Sequence, residues 1–330
     1  MLRVLITTVP FGQNNKAPLE KLVSADLDYV INPLGRRLKE AELAEMIDGF
    51  DILIAGTEHI SAKVLERATK LKLIARVGIG LDNLDLLEAR RRGIQVTYTP
   101  DAPAPAVAEL TIGLMFSLLR SIHLSNDDLH NERWTRYFGR RISNCNVGIV
   151  GAGRIGGKVI SHLQAFGVNR VLAYDRDSNV QSNFNTNVEW VSKETVYQDS
   201  DIISIHVPLD HRTRNMIGSK ELLSMRSNAL LINASRGGIV NESDLAYVLN
   251  TGHLGGAAID AFESEPYKGE LANISRCLLT AHMGSMSLDC REKMEDEATD
   301  EAVRFSLDEK LKCLVPIEEY EVQELGFKNE

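Results

Sequence analysis

The sequence predicts an α/β fold, two doubly wound parallel-sheet domains with a cleft between them. Three observations carry this. Apolar strand-like runs alternate with helical patterns from the N-terminus to about residue 285, and such alternation builds parallel sheets covered by helices. The 330 residues suffice for about two domains. A glycine-rich turn follows a buried strand in mid-chain, after a first α/β unit is already complete.

In chain order, Leu2–Ile6, Tyr29–Ile31, Asp51–Ala55, Leu73–Arg76 and Ile94–Tyr98 read as strands. Helical segments lie between them near Leu19–Ala25, Glu40–Ile47, Ala62–Ala68 and Leu84–Arg92, with Ser61 as an N-cap and Gly93 as a C-terminal stop. A proline-rich stretch, Thr99–Pro105, punctuates the chain. The apolar helix Ala106–Leu119 follows, too short to span a membrane and suited to a buried joining or subunit-contact role. Residues 123–141 are polar and read as a structured loop carrying Trp134, Tyr137 and Phe138. A second unit has strands at 147–150, 170–174, Ile202–Val207, Ala229–Asn233 and Gly256–Ile259. The charged helix Leu288–Leu307 is expected to return to the first domain, and Val315–Glu330 to form an acidic surface arm. One domain is thus expected from residues 1–100 and 286–330, the other from 101–285.

The composition, 44% hydrophobic and 25% charged, is that of a globular protein with full cores. A net charge of −9 and a pI near 5.5 argue against nucleic acid or an anionic membrane as partner. An anionic substrate therefore needs a local basic site. No apolar run reaches the roughly 18 residues of a membrane span, and the first residues read as a strand without a signal-cleavage site. Cys145, Cys277, Cys290 and Cys313 have neither metal nor redox spacing, so no metal and a reduced, cytoplasmic setting are expected.

The strongest signal is Gly151-Ala152-Gly153-Arg154-Ile155-Gly156. It follows the strand Asn146–Val150 and opens a helical pattern through Val159, Ile160, Leu163 and Phe166. A second strand ends at Asp175, 19 residues after Gly156. Strand, glycine turn, helix, strand and acid in this order are the dinucleotide-binding fingerprint of a Rossmann-like domain. The helix N-terminus offers free N–H groups to a pyrophosphate, and Asp175 offers its carboxylate to the adenosine ribose hydroxyls.

Three further residues sit where strands of this unit end, the edge at which open α/β sheets bind ligands. They are Arg236 in Asn233-Ala234-Ser235-Arg236-Gly237-Gly238, Glu265 in Asp260–Pro266, and His282 in Thr280-Ala281-His282-Met283-Gly284. An arginine can hold a carboxylate with two hydrogen bonds and polarise a neighbouring carbonyl. A histidine can exchange the proton that accompanies hydride transfer. A carboxylate can orient that histidine and favour its charged form. Taken singly, an arginine so placed is more often a surface ion-pair residue, a glutamate like Glu265 usually a solvated acid and a loop histidine like His282 more often structural, and spacing alone does not unite them.

From Leu53 to Ser287 the chain resembles the D-isomer-specific 2-hydroxyacid dehydrogenase family. The matching segments are Arg76–Asp85, Val107–Gly113, the glycine motif, His206-Val207-Pro208-Leu209, and the segments around Arg236, Glu265 and His282. The resemblance implies two Rossmann-like domains, NAD as cofactor, and a catalytic trio of Arg236, Glu265 and His282. It implies substrate-carboxylate binding by Arg236 and by the backbone N–H groups of Val77, Gly78 and Ile79. It places Asp260 on the nicotinamide carboxamide. Arg154, Ile155, Val207, Pro208, Ala234, Ser235 and Gly284 join the glycines and Asp175 along the cofactor.

Within the family the pattern is most similar to the phosphoglycerate dehydrogenase branch without its regulatory C-terminal domain. Members acting on the phosphorylated acid carry an Arg-Ser pair after the third strand. Ala55-Gly56-Thr57-Glu58-His59 stands there instead, and Glu58 is expected to repel a phosphate. The sequence reading is therefore an NAD-dependent 2-hydroxyacid dehydrogenase, a homodimer through the second domain, acting on a small 2-keto or 2-hydroxy acid. The alternatives on this fold are an NAD-sensing, corepressor-like interaction protein and a formate- or phosphite-type dehydrogenase.

Overall fold

The computed structural model describes residues 1–184 and 188–327. The chain forms two compact units, Met1–Pro103 with Met286–Glu330, and Ala104–Ser285. The first begins β1 (Arg3–Ile6), α1 (Ala17–Ser24), β2 (Asp28–Ile31), α2 (Glu40–Met46), β3 (Ile52–Ala55), α3 (Ala62–Arg67), β4 (Leu73–Arg76), α4 (Leu86–Arg91) and β5 (Gln95–Thr97). Its strands pair in parallel in the order β2-β1-β3-β4-β5. Ile52–Ala55 and Leu73–Arg76 are buried throughout, as strands covered on both faces must be. Ser61 sits at the start of α3, but its hydroxyl bonds Glu40 rather than capping the helix.

The second unit comprises α5 (Ala104–Leu119), α6 (Ile122–His130), β6 (Asn146–Val150), α7 (Arg154–Ala165), β7 (Arg170–Tyr174), β8 (Val188–Trp190), α8 (Lys193–Asp199), β9 (Ile202–Ile205), α9 (Ser219–Ser224), β10 (Leu230–Asn233), α10 (Glu242–Asn250), β11 (Gly256–Ile259) and β12 (Cys277–Leu279). Its parallel sheet runs β12-β11-β10-β9-β6-β7-β8. This is the doubly wound dinucleotide-binding order with a seventh strand, and the strand order reverses between β6 and β9, where Val150 lies beside Ile205. Two hydrophobic cores cover the two faces of this sheet.

The chain then returns to the first unit with α11 (Leu288–Ser306) and α12 (Ile317–Phe327). α11 packs on α1, β3 and β4.

Two sequence expectations need correction. Part of the segment read as a loop, 123–141, is the helix α6; only the stretch after it is irregular. The expected surface arm is largely α12, whose Tyr320 packs on the first unit's core and whose Gln323 bonds the backbone of Leu84 and Leu86. Residues 328–330 of that arm lie outside the described residues. No single helix among the described residues is long and apolar enough to cross a membrane.

Candidate active site

The glycine turn leads directly from β6 into α7. Gly151 adopts φ +91°, and a Cβ there would lie 2.5 Å from the His206 carbonyl oxygen. A Cβ on Gly156 would lie 2.0 Å from the Gly151 oxygen. Both glycines are thus demanded by the protein itself. Gly153 is not: a Cβ on it would have nothing within 4 Å. That open space, in front of the α7 N-terminus, is what a pyrophosphate needs, so the turn fits a dinucleotide. The Asp175 carboxylate accepts from Ala152 N–H (2.7 Å) and Asp177 N–H (2.9 Å), fixing it beside the turn. Across the switch point, after β9, His206 Nε2 meets Ser204 Oγ at 2.9 Å, and burial pushes the imidazole pKa down to about 3. It is a neutral support under the turn, and Val207 and Pro208 follow it.

β10 ends in Asn233, which shapes the next loop. Its side-chain oxygen accepts from Ser235 Oγ (2.7 Å) and its amide donates to the Arg236 carbonyl (2.9 Å). Arg236 Nη1 donates to Ser235 O (2.8 Å), and the side chain is half-buried. Gly237 lies so close to the Phe262–Glu263 backbone that a Cβ would fall 1.9 Å from the Phe262 carbonyl carbon.

After β11, Asp260 is buried and ties down the loop that follows β12. Its Oδ1 accepts from Thr280 Oγ1 (2.5 Å) and Met283 N–H (2.7 Å), and its Oδ2 from Gly284 N–H (2.9 Å). Its carbonyl accepts from His282 N–H (2.8 Å). His282 Nδ1 lies 2.9 and 3.1 Å from the two Glu265 oxygens, and Phe262 N–H donates to Glu265 Oε1 (3.2 Å). With Nδ1–H given to Glu265, Nε2 is the nitrogen left for proton exchange. The fold therefore joins Glu265 and His282 directly and seats the Arg236 loop against the segment that carries Glu265. Asp260, expected on a carboxamide, has both oxygens engaged by the His282 loop, so any such contact is shared with that task.

In the first unit, the Val77–Ile79 loop follows β4. Val77 N–H continues the ladder to Ala55 O (2.9 Å), and Gly78 N–H donates to Thr99 Oγ1 (2.8 Å). Two of the three N–H groups expected to take a substrate carboxylate are thus already used; Ile79 N–H makes no such bond among the described residues. Buried Arg76 lies beneath the loop, with Nη1 on Val77 O (2.8 Å). Glu58, expected to face an incoming substrate, is only 1% exposed. Its carboxylate accepts from Gly56 N–H (3.0 Å) and from the Thr7 hydroxyl. Sequence spacing shows neither Thr99 nor Glu58 in these roles, because Thr99 meets Gly78 and Glu58 meets Thr7 across neighbouring strands of the sheet. Among the described residues no group of three or more His, Cys, Asp or Glu is placed to hold a metal.

A family model for the NAD binding domain of D-isomer specific 2-hydroxyacid dehydrogenases matches residues 112–284. The glyoxylate reductase of Thermococcus litoralis is 35% identical over 275 residues, covering 80% of this chain and 83% of that protein. The D-3-phosphoglycerate dehydrogenase of Methanocaldococcus jannaschii is 35% identical over 77% of this chain, which spans 49% of that longer protein. Among solved structures, the TT0316 protein from Thermus thermophilus matches with a TM-score of 0.87 at 30% identity, over 96% of this chain and 100% of that one.

Proposed function

This chain belongs to the D-isomer specific 2-hydroxyacid dehydrogenase family and is an NAD-dependent oxidoreductase acting on the CH–OH group of 2-hydroxy acids, and from this premise we propose that its preferred substrate is a small unphosphorylated acid such as glyoxylate or hydroxypyruvate. The observation that carries the residue roles is the Glu265–His282 pair. It stands on the same C-terminal sheet edge as Arg236 and the glycine turn.

Gly151, Gly153 and Gly156, with Arg154 and Ile155, receive the pyrophosphate of NAD at the start of α7. Asp175 takes the ribose hydroxyls and disfavours a 2′-phosphate. Val207, Pro208, Ala234, Ser235, Asp260 and Gly284 border the rest of the cofactor. When bound, NADH supplies the hydride for C2. Arg236 holds the substrate carboxylate and polarises the adjacent carbonyl. His282 donates the Nε2 proton to the carbonyl oxygen, and Glu265 holds the imidazole and stabilises its charged form. In oxidation the same nitrogen takes the proton back. Unit Ala104–Ser285 is the cofactor domain. The other unit is the substrate domain, with Ile79 N–H as the donor of its 77–79 loop that is ready for a carboxylate.

The preference against phosphate rests on Glu58. Its carboxylate fills the Gly56 and Thr7 donors at the end of β3, where phosphate-using relatives are expected to carry a cation. Equal identity to a glyoxylate reductase and a phosphoglycerate dehydrogenase does not favour either substrate. The corepressor-like and formate- or phosphite-type readings are not favoured, since the relatives of highest identity reported above are a glyoxylate reductase and a D-3-phosphoglycerate dehydrogenase. The homodimer reading is supported by exposed apolar side chains on and after α6, and the cytoplasmic reading by four free cysteines. NADH consumption over a panel of 2-keto acids, with 3-phosphohydroxypyruvate and simple ketones included, tests the proposal. Turnover of glyoxylate or hydroxypyruvate above the phosphorylated acid, and none with simple ketones, is expected. Reduction of simple ketones would overturn the role of Arg236, and preference for the phosphorylated acid would overturn that of Glu58.

A further inference from the structure

Glu242 opens α10, directly behind the loop that carries Arg236, and it is half-buried. Its Oε1 accepts from Glu263 N–H at 2.8 Å. Gly237, in the same loop, leaves no room for a methyl group against Phe262 C and Glu263 N. The Phe262–Glu263 peptide is thus fastened twice, to the Arg236 loop by backbone contact at Gly237 and to the start of α10, which that loop leads into, by the Glu242 carboxylate. The same segment also sets Glu265: the preceding amide, Phe262 N–H, bonds its carboxylate, and the Phe262 ring stacks on Tyr267 at 4.2 Å between centroids.

From this geometry we propose that Glu242 is a positioning residue: its bond to Glu263 N–H aligns Glu265, and through it His282, with Arg236, and its charge adds to that of Glu265 in favouring the protonated imidazole. The inference rests on the reading of Arg236, Glu265 and His282 as the reacting groups. A neutral amide would satisfy the Glu263 N–H with less desolvation. Burial, then the charges of Glu263 and Glu265, push the Glu242 pKa up. What a carboxylate adds is negative potential next to the Glu265–His282 pair, which favours the protonated imidazole. Besides Glu263 and Glu265, the groups facing Glu242 are Tyr267 and Cys277. Arg214 borders Gly238 together with Glu263. His282 faces Glu265, and Asp260 holds its loop through backbone and hydroxyl groups.

The test is the pH dependence of kcat/KM for glyoxylate reduction by the full chain in wild type, E242Q, E242A and H282N. Reduction requires the protonated imidazole, so loss of the Glu242 charge moves the alkaline limb to lower pH in both Glu242 variants. E242A also loses kcat by about 3- to 10-fold, the worth of one hydrogen bond. Gln restores most of that loss, and the NADH dissociation constant stays unchanged. An unmoved alkaline limb in both variants overturns the proposal, as does a kcat loss in E242A that Gln does not rescue. If E242A fails to fold, the E242Q limb alone decides. H282N separates the two readings. Full turnover in H282N defeats the trio itself, whereas an inactive H282N beside Glu242 variants that track wild type defeats only this inference.

Discussion

His282 sits in the left-handed region at φ +52°, where a side chain bearing Cβ persists only if its surroundings hold it. Here they do: its N–H is on Asp260 O, and the flanking Thr280, Met283 and Gly284 are tied to the Asp260 carboxylate. The strain places the imidazole on Glu265. His282→Ala is expected to lower kcat by about 10²- to 10⁴-fold, the range for a placed acid or base, while quenching of protein fluorescence shows NADH still binding. Unchanged turnover across pH 6 to 9 would remove His282 from the mechanism. Glu265→Gln withdraws the partner of the imidazolium, so the alkaline limb of the reduction profile moves to lower pH; a stationary profile would count against it.

Glu58 requires a different substitution from the one its sequence position suggests. An arginine there would bury a cation and leave Gly56 N–H without its acceptor. Glu58→Gln keeps an acceptor for Gly56 and removes only the charge. The expected result is a rise of about fivefold or more in kcat/KM for 3-phosphohydroxypyruvate relative to hydroxypyruvate, corresponding to about 1 kcal/mol of relieved repulsion. A ratio that does not change places the Glu58 carboxylate outside the reach of the substrate.

At the level of elements, the alternation of strands and helices was readable because buried parallel strands are runs of apolar residues. Ile52–Ala55 and Leu230-Leu231-Ile232 are such runs. The glycine turn was readable because steric need and ligand approach both demand glycine. The two helices read otherwise are polar. α6 carries Ser-Asn-Asp-Asp in its middle, and α12 is acidic over Glu318 and Glu319. What holds α12 is remote in sequence: Arg90 lies over the Tyr320 ring, and Gln323 bonds the start of α4. The same limit hid the meeting of Glu265 with His282, which depends on β11 and β12 being neighbours.

α11 shows the energetic side of this. Arg291, 9% exposed, pairs with Glu295 at 3.0 Å and reaches Thr8 Oγ1 and Pro10 O, while Glu295 also accepts from Gly12 N–H. The pair fastens α11 to the segment after β1. Breaking one side of such a buried pair leaves an uncompensated charge. Arg291→Met is therefore expected to cost about 3–5 kcal/mol in chemical denaturation, and the Arg291→Met, Glu295→Leu double variant distinctly less. A single substitution as mild as the double one would show that the pair carries no coupling.

At the scale of the whole molecule, the acidic surface makes its apolar exposures conspicuous. After α6 the chain runs through residues 131–141, all exposed, and there Trp134 is 82% exposed and Phe138 fully so. Leu129 and Ile122 on α6 add to this surface. Ion pairs hold the segment in shape rather than leaving it loose: Arg133 bonds Asp128, and Tyr137 donates to the same carboxylate at 2.8 Å. A shaped segment that presents aromatic side chains to water suits a subunit contact, because each ring can bury about 150–250 Å². At about 25 cal/mol per Å², that is roughly 4–6 kcal/mol of transfer free energy per ring before association costs. Two-fold pairing doubles the contribution, since each subunit offers the same surface. In light scattering at micromolar concentration the wild type is accordingly expected to run as a dimer and the Trp134→Asp, Phe138→Asp double variant as a monomer. Neither residue supports the fold from within, so the variant's circular dichroism should match that of wild type. A wild type that is already monomeric at that concentration, or a double variant that stays dimeric, would refute this surface as the subunit contact.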